Sequence, residues 1–222
     1  MSKQLSELPL EHCFYERPGA SRVLICLHGR GDSMNGLMWL RHYLDLSEFH
    51  QLYLNAPDSW PTPYGKGYSW YPMKPDHKTG IFRSAELVSQ VLDSLSQIGL
   101  KASDAILFGF SQGAVISLET ALSRRSDVLG VIAISGFVFE AERLKNSMNT
   151  NQKITPVLMT HGFQDSVLDY EITKNQAEIL KSVMPNLRFE GMSKEHHIVN
   201  QEIDWYRDFL LACHREALRN GK

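Results

Sequence analysis

Apolar residues follow two alternating patterns along this chain. Continuous apolar runs, as at 22–27 and 105–108, are typical of strands buried on both faces of a sheet. Between such runs, apolar residues recur three and four positions apart, as at Ala114, Leu118 and Ala121, which is typical of one helix face. Because strand and helix alternate through most of the chain, the pattern predicts an α/β fold with a mostly parallel central sheet and helices on both faces.

The same pattern gives approximate bounds for the elements. Strands are predicted at 22–27, 51–54, 105–108, 128–134, 156–160 and 187–190, preceded by a short N-terminal edge strand. Helices are predicted at 37–44, at 83–98, after residue 111, at 171–183 and at 198–218. A long loop rich in aromatic residues is expected from 58 to 80. We find no internal repeat, low-complexity tract or linker, so residues 1–222 are expected to form a single domain.

Composition and charge narrow the class of partner. The chain has 222 residues, of which 43% are hydrophobic and 22% charged, as in an ordinary globular domain. Its net charge is -2 and it has no extended run of Lys or Arg, which argues against nucleic acid as a partner. The N-terminus lacks an apolar signal segment, and no stretch approaches the ~18 continuous apolar residues of a membrane span. We therefore expect a soluble protein, without stable membrane insertion, that acts on a small molecule or on a side chain of a peptide.

The cysteines indicate the redox environment. Cys13, Cys26 and Cys213 are odd in number and lack the spacing of a metal site. Two of them lie in apolar segments, where a free thiol behaves as a small hydrophobic group. This usage fits a reducing, cytoplasmic location, and no metal is indicated.

One serine lies between two glycines at a predicted corner of the fold. The segment Gly109-Phe110-Ser111-Gln112-Gly113 follows a strand and precedes a helix. An abrupt turn there needs small neighbours, and it would lift the Ser111 hydroxyl above the sheet edge, as in the nucleophile elbow G-x-S-x-G. A glycine-rich turn with a helix-capping serine would give the same letters, so the motif needs support from its context.

Two further reactive side chains also follow predicted strands. Asp165 lies beyond strand 156–160, and His196 lies beyond strand 187–190. Ligands bind beyond the carboxyl ends of strands in such sheets, so Ser111, Asp165 and His196 are expected to meet there. A serine hydroxyl needs an imidazole to take its proton and a carboxylate to orient that imidazole. We interpret the three residues as nucleophile, orienting acid and general base, in the chain order typical of α/β-hydrolases.

Two of these assignments have a close competitor. Asp169 could supply the acid, but it is well placed to cap the following helix, which favours Asp165. His197 is adjacent to His196, and neighbours in an extended loop point in opposite directions. One of the two is therefore expected to reach Ser111 and the other to lie at the surface or behind the site.

Backbone N–H groups are expected to stabilise the oxyanion of an acyl-transfer intermediate. The predicted donors are Gln112, the residue after the nucleophile, and Arg30, in the glycine-rich loop after strand 22–27. His28 and His161 each precede a glycine at a strand end, and we expect them to bond to loop backbone and not to act in catalysis.

Taken together, these motifs resemble the acyl-protein thioesterase, carboxylesterase and lysophospholipase family of small α/β-hydrolases, from about Val23 to Leu210. The elbow matches that family's G-F-S-Q-G without change. The family segment H-G-x-x-D-x-x-V is matched from His161, with Leu168 in place of valine, which supports Asp165. The resemblance implies an α/β-hydrolase fold and a serine esterase or thioesterase that needs no cofactor.

The resemblance also bears on the histidine and on two departures. The family's histidine stands six residues before a glutamate, and counting back from Glu202 gives His196. The family loop H-G-x-G-D usually has an apolar third residue where this chain has Arg30, and Glu195 replaces a small or apolar residue before the histidine. Arg30 either favours a polar or anionic leaving group or pairs with a carboxylate at the pocket rim, the commoner behaviour of an exposed arginine.

The expected substrate is a small ester or another acylated molecule. Residues expected to shape the acyl pocket are Met34, Trp70, Tyr71, Phe163 and Leu168, although loop aromatics equally often form a local hydrophobic plug. The expected assembly is a monomer or a weak homodimer. The alternatives are a serine peptidase, which would lack a second domain to gate peptides, and a hydrolase fold kept as a non-catalytic binding protein.

Overall fold

The computed structural model describes residues 5–44, 46–63, 65–73, 75–125 and 127–221; the bounds of the predicted domain, residues 1 and 222, lie outside them. The strands in this part are β1 (His12–Tyr15), β2 (Arg22–Leu27), β3 (Phe49–Leu54), β4 (Asp58–Thr62), β5 (Gly65–Ser69), β6 (Ala105–Phe110), β7 (Gly130–Ile134), β8 (Val157–Gly162) and β9 (Leu187–Met192). The α-helices are α1 (Met34–Leu37), α2 (Leu40–Leu44), α3 (His77–Asp93), α4 (Gln112–Glu119), α5 (Ala141–Ser147), α6 (Thr150–Ile154), α7 (Tyr170–Lys181) and α8 (Asn200–Arg219).

Seven strands form one central sheet in the order β1-β3-β2-β6-β7-β8-β9. β1 runs antiparallel to β3, and every other pair of neighbours is parallel. Parallel neighbours require crossover connections, most of which contain helices in this chain. The carboxyl ends of β2, β6, β7, β8 and β9 therefore meet at one edge of the sheet, and the predicted mostly parallel α/β fold is confirmed.

Helices cover both faces of this sheet. Val23 of β2 packs in one core with Val88 of α3 and Val115 of α4. Leu24, the next residue, packs in a second core with Tyr206 of α8. Successive strand residues point to opposite faces, so a strand covered on both sides must be apolar at nearly every position. All six residues of β2 are buried, which explains the continuous apolar run in the sequence.

The segment predicted as one long loop contains regular structure. β4 and β5 pair antiparallel as a separate two-stranded sheet, and α3 begins at His77, well before the predicted start at 83. The two strands escaped prediction because they contain Pro61, Gly65 and Gly67, residue types that are rare in strands. Only Gly67 and Ser69 of these strands are buried, so no alternation of apolar and polar residues marks them.

Two short helices were also missed. α5 buries only Ala141 and Leu144, and α6 buries only Gln152, so neither carries a clear apolar stripe. The helix predicted at 37–44 is divided into α1 and α2. The remaining strands and helices agree with the predicted ones apart from shifts at their ends.

Candidate active site

The serine between two glycines stands at the junction of β6 and α4. Ser111 has φ 54° and ψ -117°, a strained backbone conformation that is rare for a residue with a side chain. A Cβ added to Gly109 would overlap the backbone of Gly113, and a Cβ added to Gly113 would overlap the carbonyl of Leu27. Glycine is therefore required on both sides because the turn presses β6, α4 and β2 together.

Three side chains from distant parts of the sequence form a hydrogen-bonded series at this corner. The Nε2 atom of His196 lies 2.9 Å from Oγ of Ser111, and its Nδ1 atom lies 2.7 Å from Oδ2 of Asp165. A carboxylate can only accept, so Nδ1–H donates to Asp165 and the Ser111 hydroxyl donates to Nε2. This arrangement fixes the neutral imidazole in the tautomer that can take a proton from the serine.

The carboxylate of Asp165 is held in an ionised state by its surroundings. Its side chain is fully buried, and Oδ1 accepts backbone N–H groups of Val167 and Leu168, each at 2.9 Å. Burial raises the pKa of Asp165, but the hydrogen bonds from Leu168, His196 and Val167 more than offset it, so the net pKa is below its usual value. Asp165 is therefore an anion at neutral pH.

The structure places the two competing residues differently. Asp169 accepts the N–H of Ile172 at 2.9 Å and so caps α7. His197 is exposed, whereas its neighbour His196 is partly buried between Ser111 and Asp165.

A second histidine lies against the same carboxylate. Nε2 of His161 is 3.4 Å from Oδ2 of Asp165, and Nε2–H donates to the carbonyl of Leu168 at 2.9 Å. Burial lowers the pKa of His161, opposed by that hydrogen bond and by the charge of Asp165. His161 is thus neutral and tied to loop backbone. His28 behaves likewise, with Nδ1–H donating to the carbonyl of Gly29 at 2.6 Å and Nε2 accepting the N–H of Ala56.

The glycine-rich loop after β2 is fixed by the β4–β5 hairpin. The N–H of Gly31 donates to the carbonyl of Tyr68 at 2.8 Å, and the N–H of Tyr68 donates to the carbonyl of Asp32 at 2.9 Å. Arg30 lies between these contacts, and Gln112 opens α4. Within the described part of the chain, the backbone N–H groups of Arg30 and Gln112 have no hydrogen-bond acceptor.

The side chain of Gln112 has a structural task. Its Oε1 accepts the N–H of Trp70 at 3.0 Å, and its Nε2 donates to the carbonyl of Tyr71 at 2.9 Å. The indole N–H of Trp70 donates in turn to the carbonyl of His28 at 2.8 Å. The segment after β5 is therefore fastened to both the elbow and the loop after β2.

A cleft of about 800 Å³ opens above Ser111. It contains the side chains of Ser111 and His196 together with Arg30, and much of its wall is apolar. The apolar part of the wall includes Tyr71, Met73, Phe137, Phe139, Val167, Leu168 and Ile172. A cleft of this size and character suits a ligand with an aliphatic portion.

Three of the five expected pocket residues lie elsewhere. Tyr71 and Leu168 line the cleft. Trp70 is fully buried in the main core, and Met34 packs against the second core. Phe163 is 52% exposed and packs edge to face on an aromatic ring of α7. The expectation that Trp70, Met34 and Phe163 shape the pocket is therefore corrected, because loop position alone does not say which way a side chain points.

A buried ion pair supports the histidine loop, and the sequence did not reveal it. Nζ of Lys194 lies 2.7 Å from Oε1 of Glu202, with both side chains fully buried. Oε2 of Glu202 accepts the N–H of Val199 at 3.0 Å. Burial lowers the pKa of Lys194, opposed by the charge and hydrogen bond of Glu202. From the sequence, Glu202 is notable only because it stands six residues after His196. An isolated lysine carries no signal of burial.

The described residues contain neither a cluster of metal ligands nor a membrane-spanning helix. No group of three or more His, Cys, Asp or Glu among them could hold a metal ion. Of the helices that the structure describes, none is both long and apolar enough to cross a membrane.

The strand order, the strained serine after β6 and the serine–histidine–aspartate series define an α/β-hydrolase fold. Comparison with known proteins supports this fold. Residues 15–214 match the phospholipase/carboxylesterase family. The chain belongs to this family, and it is a hydrolase of carboxylic ester or thioester bonds.

Individual relatives are distant but cover most of the chain. Acyl-protein thioesterase 1 of Candida albicans is 29% identical over 82% of this chain and 87% of its own length. Lysophospholipase-like protein 1 of Mus musculus is 28% identical over 93% of each. The crystal structure of esterase PE8 matches with a TM-score of 0.80 and 25% identity, covering 94% of this chain and all of that one. Acyl-protein thioesterase 2 of Zea mays shares the fold, with a TM-score of 0.76 and 22% identity over 92% of this chain and 99% of its own.

Proposed function

We propose that Ser111 is the nucleophile of this hydrolase and forms an acyl-serine intermediate. His196 takes the hydroxyl proton as Oγ bonds to the acyl carbon, and the carbonyl oxygen becomes an oxyanion. The bond to the alcohol or thiol then breaks, and His196 gives its proton to the leaving group. Asp165 stays ionised and stabilises the imidazolium that forms in between.

The second half of the cycle repeats the first with water. His196 takes a proton from a water molecule, whose oxygen bonds to the acyl carbon. The bond between the acyl carbon and Oγ breaks, and His196 returns the proton to Ser111. The products are a carboxylic acid and a regenerated serine, and no redox partner or organic cofactor enters either half.

We assign the oxyanion donors to the backbone N–H groups of Arg30 and Gln112. Both N–H groups lack an acceptor within the described residues, and both belong to segments fixed by hydrogen bonds. Gln112 also opens α4, whose N-terminal dipole favours negative charge. Loss of one such donor typically raises the barrier by about 2.7 to 4 kcal/mol.

One observation carries this proposal: the two hydrogen bonds of His196, at 2.9 Å to Ser111 and 2.7 Å to Asp165. A surface serine with a cap role would not need them. The similarity to thioesterases, lysophospholipases and carboxylesterases supports an acylated small molecule or acylated side chain as substrate. We further propose that the protein is a single-domain monomer or weak homodimer. We also propose a reducing, cytoplasmic location, because Cys13, Cys26 and Cys213 are all free thiols.

The test is replacement of the nucleophile. Ser111→Ala should lower turnover of a p-nitrophenyl ester by about 10⁴-fold or more and abolish labelling by a fluorophosphonate, with little change in the melting temperature. Ser96→Ala, a change at an exposed serine in the turn after α3, is the matched control and should keep both properties. Full labelling of the Ser111→Ala protein would refute the assignment.

A further inference from the structure

We propose that the Arg30 side chain binds an anionic oxygen group, phosphate or carboxylate, on the leaving-group side of the substrate. The enzyme would then prefer esters and thioesters whose alcohol or thiol part carries a negative charge. This inference rests on the proposed function, because it assigns the leaving group of a reaction centred on Ser111.

The first argument is that the cation is held in place. Gly31, the next residue, is hydrogen-bonded to Tyr68 of β5. The guanidinium carbon lies 5.4 Å from the ring centroid of Trp60 on β4, the distance of a cation–π contact. Burial raises the pKa of Tyr71, and the charge of Arg30 opposes that rise, so the guanidinium acts on a residue of the cleft wall. A cation positioned in advance loses little entropy when it binds a ligand.

The second argument is that this cation lacks an acidic partner. No carboxylate in the described ranges lies within 4 Å of Arg30, so the expected pairing at the rim is not found. Arg30 is exposed and contributes to the wall of the cleft. The acids that share the cleft are engaged elsewhere. Asp32 accepts the N–H of Ser33, Asp169 caps α7, and Glu140 is paired with Lys78 and Arg143.

The third argument comes from the strand order. Arg30 follows β2 and Ser111 follows β6, which is the neighbour of β2 in the sheet. Much of the apolar wall comes from the other side, where Phe137 and Phe139 follow β7 and Leu168 follows β8. Tyr71 and Met73, from the segment after β5, complete the wall nearer to Arg30. A substrate whose carbonyl carbon lies at Ser111 thus has an apolar surface toward one end and a cation toward the other.

The chemistry of an ester matches this division. An aliphatic acyl chain gains free energy by leaving water and takes the apolar side. The alcohol or thiol then lies toward β2. Arginine presents a planar fork of N–H donors that suits phosphate and carboxylate oxygens, and it does not bind neutral groups with comparable strength.

The experiment compares two esters with the same acyl chain: monooctanoyl glycerol and monooctanoyl glycerol phosphate, both below their critical micelle concentrations. The wild-type enzyme should have the larger kcat/KM for the phosphate ester. Arg30→Gln should lower the ratio of the two kcat/KM values about tenfold. Added salt should lower the same ratio in the wild type, because the cation is exposed, and have little effect in the variant.

Two further variants and one further substrate sharpen the test. Trp60→Leu removes the ring beneath the guanidinium and should also lower the ratio. Arg83→Gln is the matched control: Arg83 is exposed and paired with Asp58 on the same hairpin, it lies outside the cleft wall, and its loss should leave the ratio unchanged. A glycerol ester with a carboxylate at the far end of its acyl chain should gain nothing from Arg30.

The outcomes separate the two proposals. Hydrolysis of the neutral ester that disappears in Ser111→Ala supports the proposed function whatever Arg30 does. A salt-independent wild-type ratio, an unchanged ratio in Arg30→Gln, or an equal fall in Arg83→Gln would overturn the role of Arg30. A response confined to the acyl-chain carboxylate would reverse the assigned direction and overturn it too.

Discussion

At the scale of single residues, burial keeps His28 and His161 neutral. The two ring nitrogens of His28 serve opposite purposes, since one donates to Gly29 and the other accepts from Ala56. A second ring proton would face the N–H of Ala56, donor against donor. Burial lowers the pKa of His28, opposed by its bond to Gly29 and by the charge of Asp32. Burial lowers the pKa of His161 in the same way.

Because the pKa values of His28 and His161 are lowered in the folded state, the folded protein should lose stability in acid. Below the ordinary histidine pKa of about 6.5, the folded protein binds fewer protons than the unfolded chain. The contribution of His28 and His161 to the free energy of unfolding is therefore fully present above that pH. It is lost as the pH falls toward the lowered pKa values of the folded state. The melting temperature should therefore drop as the pH falls below about 6.5.

The variant His28→Gln tests the assignment. It should show a smaller drop over the same range, because it removes one of the two groups. Differential scanning fluorimetry at several pH values measures both proteins. Equal pH slopes for the two would mean that His28 does not contribute. Asp165 does not interfere, since its lowered pKa places its titration at more acidic pH.

At the scale of elements, the histidine loop depends on α8. Lys194 belongs to the loop and Glu202 to the first turn of α8, and their buried contact fixes the segment that carries His196. Val199 completes the link through its N–H. A buried pair of this kind is worth little compared with an apolar pair, but removal of one partner leaves the other charge without compensation.

For the pair Lys194–Glu202, the effects of two substitutions on the free energy of unfolding should not add. Lys194→Met should lower the free energy of unfolding by about 3 to 5 kcal/mol. The double variant Lys194→Met/Glu202→Gln should regain much of that loss, since the neutral amide still accepts the N–H of Val199. Urea titrations measure both. Lys181→Met breaks an exposed pair with Glu178 and should cost about 1 kcal/mol or less. A double variant as unstable as the single one would contradict the argument.

Some elements could be predicted from the sequence and others could not. The buried strands were predictable because burial on two faces leaves a continuous apolar run, as in β2. The β4–β5 hairpin was not, because only Gly67 and Ser69 of its strands are buried and it is held by backbone contacts to the loop after β2. The sequence also predicted three side chains that meet: Ser111, Asp165 and His196. The direction of Trp70 depended on tertiary contacts that no local pattern encodes.

At the scale of the whole molecule, one core lies on each face of the sheet, and the second core buries two of the three cysteines. Cys26 of β2 is 1% exposed, and Cys213 of α8 is 4% exposed. Burial raises the pKa of both thiols, to about 12 for Cys213. Cys13 of β1 is only partly buried at the sheet edge. Since the thiolate is the reactive species, these positions should differ greatly in reactivity.

Thiol titration should therefore report the integrity of the second core. In the native protein, one thiol per chain, Cys13, should react readily with a chromogenic disulfide reagent at neutral pH. Cys26 and Cys213 should react only when the protein unfolds, at the denaturant concentration where the circular dichroism signal is lost. Cys13→Ser should remove the rapid phase. Rapid reaction of all three thiols with retained ester hydrolysis would contradict the packing described here.

β6 is the fourth strand of seven, so Ser111 lies at the middle of the sheet edge. The segments that line the cleft emerge from different strands to either side of β6, and Tyr71 and Phe139 among them also belong to the first core. Evolution can thus exchange residues on one side of the cleft without replacing those on the other, and the exposed positions, such as Arg30, can change without loss of core packing. New specificities in such an architecture are accessible one half at a time.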